Sequence, residues 1–397
     1  MSDLLRLGKD QDRRLRAGHL WVYSNEVDTE ATPLKGFEPG QAVNIENAQG
    51  RWQGLGYVNP NSLICARLVT RSRDFSLDGS LLVHRIKVAL ALRERLHDKP
   101  YYRLLFGEAD GIPGVVVDRY GEYLAVQITT AGMELLKDAL VAALVKVLKP
   151  AGIVMRNDGG VRELEGLTRY VELVHGQVPD LVQIEEGDCR FEVSLSEGQK
   201  TGWFYDQAAN RDQFMRYVDT KRVLDVCSYT GAWSVRAAKA GAAAVIAVDT
   251  SARALEHLQA NASLNRVDDR VETVRGDAFE VLRDLRAKRE HFDVVVLDPP
   301  AFIKRKKDLK EGTLAYRRLN EAALGLLQRD GILVTASCSF HMQGDQLLRT
   351  VQQSARHSDR SLQLLQQGQQ GPDHPIHPAI PETAYLKAFF LRVLPTL

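Results

Sequence analysis

The sequence predicts an α/β chain. Its C-terminal half should form a doubly wound sheet of seven strands, preceded by a small β-rich domain and a small α+β domain. Three observations carry this. From Phe191 onward, apolar runs of strand length alternate with helical periodicity, as a mostly parallel sheet requires. The stretch Arg222-Val-Leu-Asp-Val-Cys-Ser-Tyr-Thr-Gly231 reads as a strand, a glycine turn and a helix start. Before residue 73, short alternating runs are separated by Gly, Pro and Asn, the pattern of a compact β domain. The expected boundaries are 1–73, 74–190 and 191–397.

In the first segment the runs are His-Leu-Trp-Val-Tyr, Gln-Ala-Val-Asn-Ile, Arg-Trp-Gln-Gly-Leu-Gly-Tyr-Val and Leu-Ile-Cys-Ala-Arg-Leu-Val. Arg6, Lys9, Arg13, Arg14 and Arg16 cluster in its first turn, and Arg67, Arg71 and Arg73 at its end. Such clusters grip phosphates, although a solvated charged face has the same composition. The spacing then predicts a helix over 81–95, strands at 101–106, 115–118 and 124–128, a helix over 135–148 and a strand at 152–155. In the last segment, strands are expected at 223–226, 244–248, 271–275, 292–297, 331–336, 362–366 and 386–393. Helices are expected over 251–261 and 314–328, the second ended by Asp330-Gly331.

A chain of 397 residues is long for one domain. A net charge of +1 advertises no strong global field, so any polyanionic partner must be met by local patches. The four cysteines, Cys65, Cys189, Cys227 and Cys338, lack C-x-x-C or Cys/His ligand spacing, so neither a disulfide framework nor a metal site is expected. There is no signal-peptide core and no run of eighteen apolar residues. A cytoplasmic protein without a membrane partner is the expectation.

In a doubly wound sheet, ligands bind beyond the carboxyl ends of the strands. Four residue sets fall there. Asp225 leads into Ser228, Tyr229, Thr230 and Gly231, a loop without the G-x-G-x-x-G pattern of pyrophosphate binders. Asp249 closes the next strand and suits a ribose hydroxyl pair. An adenosine cofactor without phosphates, S-adenosylmethionine, fits both features. Asp277 can accept an adenine amino proton, with Phe279 along the ring, and Asp298 opens Asp298-Pro-Pro-Ala-Phe302. Any one of these acids can instead simply cap a helix.

Thr335-Ala-Ser-Cys-Ser339 ends the neighbouring strand. Cytosine C5 is too weak a nucleophile to attack a methyl sulfonium directly. Addition of a thiolate at C6 makes C5 reactive, and that chemistry needs a thiol close to an acid. Cys338 and Asp298 supply that pair, although Cys338 has the alternative reading of a small buried hydrophobe. Asp298-Pro-Pro also resembles the loop of nucleic-acid aminomethyltransferases, but Ala301 intervenes before the aromatic Phe302. Lys304, Arg305, Lys306 and Lys307 form a basic loop just beyond, placed to screen an RNA backbone or merely solvated.

Several stretches carry a resemblance. They are Gly18-His-Leu-Trp-Val-Tyr-Ser24, Asn59-Pro-Asn-Ser62, Gly107-Glu-Ala-Asp-Gly-Ile-Pro-Gly-Val-Val-Val-Asp-Arg-Tyr120 and Arg162-Glu-Leu-Glu-Gly166. With them stand Gly198-Gln-Lys-Thr-Gly-Trp-Phe-Tyr-Asp-Gln207, Asn210-Arg211 and Ser337-Cys-Ser339. Over nearly its whole length the chain is similar to the PUA-containing ribosomal RNA methyltransferases of the large-subunit methyltransferase I type, which make 5-methylcytosine in 23S rRNA. The resemblance implies a PUA domain, a β–β–α–β–β type middle domain and a Rossmann-like catalytic domain. It implies Cys338 as nucleophile and Asp298 as the acid beside it. It also implies cofactor contacts from Asp225, Ser228, Tyr229, Thr230 and Gly231, from Asp249-Thr250, Asp277-Ala278 and Asp298, and from Thr201, Phe204, Asp206 and Arg211. RNA contacts are expected from Arg13, Arg14, Arg16 and the 304–307 loop, with 23S rRNA as partner and a homodimer left open. The base that removes the C5 proton is unassigned. Guanine-N7 or exocyclic-amine methylation, and a non-catalytic RNA-binding assembly role, are the alternatives.

Overall fold

The computed structural model describes residues 3–396, which divide into two compact units. The first comprises residues 1–182 with 194–205 and 372–383; the second comprises 183–193, 206–371 and 384–397.

Two five-stranded sheets build the first unit. Strands Asp3–Arg6, Trp21–Val22, Ala42–Glu46, Trp52–Val58 and Ala66–Thr70 form one of them, around Leu5, Val43, Ile45, Val58 and Leu68. The other runs in sequence order through Tyr101–Phe106, Val115–Tyr120, Tyr123–Ile128, Gly152–Asn157 and Tyr170–Gly176, so three strands, not two, stand between helix Gly79–Leu96 and helices Ala131–Leu135 and Lys137–Leu148. The two parts share polar contacts: Tyr57 donates to the Pro113 carbonyl, and Arg67 and Asn59 both reach the Glu165 carboxylate. This is why residues on either side of the expected 73/74 boundary pack as one unit. Arg6 lies on a strand paired parallel with Ala42–Glu46, not in a turn.

The second unit carries a seven-stranded sheet: β1 (Arg222–Val226), β2 (Ala244–Asp249), β3 (Val271–Arg275), β4 (Phe292–Leu297), β5 (Leu327–Ser337), β6 (Arg360–Gln369) and β7 (Lys387–Pro395). Its order is β3-β2-β1-β4-β5-β7-β6, parallel except for β7, which runs antiparallel to both neighbours. The reversal of order between β1 and β4 is the switch point at which such sheets bind ligands. Helices α1 (Ala208–Phe214), α2 (Ala232–Lys239), α3 (Ala252–Leu264), α4 (Ala278–Ala287), α5 (Leu309–Leu324) and α6 (Gly344–His357) belong to the same unit. The near-continuous apolar runs of β1 and β4 are buried on both faces, as parallel strands must be.

α5 ends at Leu324, short of the expected 328, because Gly325 stops it and Leu327 already belongs to β5. Asp330, with φ of 64°, marks an irregularity inside that strand and not a helix terminus. Strand Tyr170–Gly176 was not expected; it is an edge strand with Val171 and Leu173 exposed, so it lacks the inward apolar alternation of a half-buried strand.

Candidate functional site

The loop after β1 gathers three positive-φ residues within five positions. Cys227, Tyr229 and Gly231 take φ of 66°, 48° and 91°. Two of these are non-glycine residues in a region that costs on the order of 1 kcal/mol or more each, which concentrates at functional sites. The N–H groups of Cys227 and Ser228 both donate to the Val248 carbonyl, and that of Tyr229 to the Asp249 carboxylate at 2.9 Å. Gly231 is required twice over. Its φ disfavours a side chain, and a Cβ there would lie 2.6 Å from Leu258 Cγ.

Around this loop, polar atoms are buried without partners. Asp225 is fully buried; Ser234 donates to Oδ2 at 2.6 Å, while Oδ1 has no hydrogen bond among the described residues. The same holds for Ser228 Oγ and Thr230 Oγ1. Burial, reinforced by the negative charges of Asp298 and Asp249, pushes the Asp225 carboxyl up to about 7. Unpaired buried polar atoms at a sheet's switch point are what a polar ligand satisfies. The residues present therefore fit an adenosine-type cofactor. Asp249 spans the loop and the start of α3, with Oδ1 accepting from Ser251 N and Oδ2 from Tyr229 N, and retains acceptor capacity for hydroxyls. Asp277 caps α4, its Oδ1 accepting from Phe279 N and Glu280 N; the cap uses only that oxygen. Thr250 is exposed, Ala278 is half-buried, and Phe279 is exposed beside them.

Asp298, at the end of β4, receives the Gln207 amide on Oδ1 at 2.9 Å and the Trp233 indole N–H on Oδ2 at 3.1 Å. Burial and the nearby Asp206 charge raise its pKa; the two N–H donors and Arg211 oppose them. Gln207 is itself oriented by Asn210, one turn on, whose amide donates to its Oε1 at 2.7 Å. Asp206 accepts the Tyr385 hydroxyl at 2.6 Å. Gln207, Trp233 and Tyr385 had no role in the sequence reading. The i, i+3 spacing of Gln207 and Asn210 was the one visible signal, since it puts both on one helical face.

On the neighbouring strand, Cys338 follows β5 and is partly exposed. Tyr316 from α5 ties down both of its flanks: Ser337 Oγ donates to the Tyr316 hydroxyl at 2.8 Å, and Ser339 Oγ lies 3.1 Å from it. Lys387 Nζ donates to the Ser339 carbonyl at 2.7 Å and to that of Tyr385 at 2.8 Å. Gly312 lets α5 reach the loop beyond Asp298, because a Cβ there would fall 2.2 Å from Ile303 Cγ1.

The second unit thus gathers Asp225, Ser228 to Gly231, Asp249, Asp277, Asp206, Asp298 and Cys338 at the carboxyl side of one sheet. Arg211 is in this unit too, but its guanidinium forks onto buried Glu186 at 2.5 and 2.6 Å. Thr201 and Phe204 lie in the first unit, where Thr201 donates to Asp118 at 2.5 Å and the Lys200 ammonium sits 4.9 Å over the Phe204 ring. Of the basic residues, Arg14 is forked onto Glu26 and stacked on Tyr23, and Arg16 pairs with Asp12 at 3.3 Å. Arg13, Lys304, Arg305, Lys306 and Lys307 are exposed. Among the described residues, no cluster of His, Cys, Asp and Glu could hold a metal ion, and no helix is long and apolar enough to cross a membrane.

Comparison with known proteins agrees with this layout. Residues 5–71 match the family of PUA-like domains and residues 168–392 that of S-adenosylmethionine-dependent methyltransferases. The fold is shared with SMU.776, crystallised with SAH, at a TM-score of 0.85 and 22% identity over 98% of this chain and 100% of that one. The ribosomal RNA large subunit methyltransferase I of Shigella boydii serotype 18 is 38% identical across 99% of this chain and 100% of its own length. That of Escherichia coli O139:H28 is 37% identical over the same shares. The chain belongs to the ribosomal RNA large subunit methyltransferase I family, with a PUA-like domain ahead of an S-adenosylmethionine-dependent methyltransferase domain.

Proposed function

We propose that this protein methylates C5 of a cytosine in 23S ribosomal RNA, in the cytoplasm, through a covalent bond between Cys338 and C6. The observation that carries the reading is a partly exposed thiol just past β5, beside the strand that Asp298 directly follows. Bound S-adenosylmethionine supplies an electrophilic methyl group. The Cys338 thiolate adds to C6, which places electron density at C5 for methyl capture. Loss of the C5 proton then expels the thiolate and restores the aromatic ring. Asp298, whose two oxygens already accept N–H donors, is arranged as an acceptor and suits the exocyclic N4 amine of the ring. The target base must leave its stack to reach this depth. Arg13 and the 304–307 loop meet the RNA backbone.

The test is to incubate the full-length enzyme and cofactor with large-subunit rRNA bearing 5-fluorocytosine. Fluorine cannot leave as a proton does, so a covalent adduct should accumulate and map to Cys338. An adduct that persists in Cys338→Ala rejects the nucleophile. Methyl transfer to unmodified rRNA without any fluorocytosine adduct would instead favour guanine or amine chemistry at Asp298-Pro-Pro.

A further inference from the structure

Nothing in the proposed mechanism explains how Cys338 becomes a thiolate near neutral pH, where an ordinary thiol is mostly protonated. The surroundings of the thiol supply a candidate. Lys387 opens β7 and pairs in register with Ser337 of β5, one residue before Cys338. Its ammonium is half-buried and held by two carbonyls, one of them the Ser339 carbonyl immediately after the cysteine. A lysine normally projects its charge into water; here the chain bends the charge back onto the loop that carries the thiol. Burial disfavours the Lys387 cation, and the group that acts on it in the opposite sense is Cys338.

We propose, on the footing of the cytosine-C5 reading, that Lys387 is a positioning residue whose ammonium stabilises the Cys338 thiolate. Two of its three N–H donors are committed to carbonyl oxygens, one of them next to the cysteine, and these hold the charge beside the loop that carries the sulfur. The other groups facing this pair do not perform the task. Tyr316, from α5, couples to Cys338 but is itself pushed toward the neutral form by burial, so it brings no positive charge. Asp298, at the end of β4, is an acid that burial raises toward its neutral form, so it brings no positive charge either. On β6 the residue paired with Lys387 is uncharged Gln369. Burial lowers the Lys387 pKa to about 8, so the cation is present at neutral pH and fades above it.

The test is the pH profile of iodoacetamide alkylation at Cys338, read by peptide mass spectrometry on the full chain without RNA. Lys387→Gln keeps N–H donors for the carbonyls but removes the charge. It should move the alkylation midpoint up by about one pH unit or more and slow the reaction at pH 7 by roughly tenfold. Lys387→Arg, which keeps the charge, should restore a low midpoint. An unchanged midpoint in folded Lys387→Gln, with SAH binding retained, overturns the proposal. Should that variant not fold, the Arg variant decides alone: its charge persists above pH 8, so its midpoint must not exceed the wild-type value. A wild-type fluorocytosine adduct with an unmoved midpoint would reject Lys387 and leave the cytosine reading intact. A moved midpoint with no adduct would do the reverse.

Discussion

At the scale of single residues, the site is defined by groups kept away from their ordinary charge states. Asp225 is the clearest. Its carboxyl titrates near 7 in the fold against 3.8 when unperturbed. A raised folded value means that its contribution to stability is fully present below about pH 4 and is lost as the pH rises to about 7. Asp225→Asn should therefore flatten the pH dependence of melting in the cofactor-free protein and raise its Tm at pH 8, while weakening SAH binding. Thermal melts at pH 5 and pH 8 check the first part and calorimetric titration the second. Burial raises Asp298 too, but here each oxygen has a partner. Both oxygens are acceptors, so Asp298→Asn leaves the Trp233 or Gln207 N–H without a partner, at a cost of about 1–3 kcal/mol. Methyl transfer should fall by at least about a hundredfold. A loss under fivefold in a folded variant would argue against a role for this carboxylate in catalysis.

At the scale of elements, the loop after β1 concentrates strain and close approach. Gly231→Ala places a methyl against Leu258 at a φ that favours glycine, and should destabilise the protein by about 2–3 kcal/mol and abolish SAH binding. Chemical denaturation and a binding isotherm measure the two effects. Tyr229→Gly should relieve backbone cost, so its Tm should not fall much. At Gly312, an added methyl must push Ile303 or shift α5. Because α5 also carries Tyr316, Gly312→Ala should disturb the Cys338 flanks, seen as a slower turnover with SAH affinity unchanged.

At the scale of the whole molecule, a net charge of +1 means that RNA must be held by local features. Lys304, Arg305, Lys306 and Lys307 are exposed and follow directly on the Asp298 loop. Replacing all four by alanine should reduce the slope of log affinity against log salt by roughly 2, one counterion each from Lys304, Lys306 and Lys307, because Asp308 already pairs with Arg305 at 3.3 Å. Filter binding across a salt series reads it. Arg14 should contribute little to that slope, because Glu26 already neutralises it.

The sequence by itself determined the sheet, the glycine loop after β1 and the position of Asp298 and Cys338 just past the ends of two neighbouring strands. These are properties of local order: apolar runs set strand length, and residues at strand ends share one edge whatever packs around them. It was also open about Asp277, whose capping role the structure shows. Partner choice across long separations was decided only by tertiary structure. Gln207 meets Asp298 across ninety-one positions, and Lys387 reaches the Ser339 carbonyl across forty-eight. Arg211 is taken by Glu186 and Arg14 by Glu26, although in the sequence each looked available to a ligand. A basic or amide side chain has no periodic signature, and which acceptor it finds depends on where packing leaves an uncompensated buried charge.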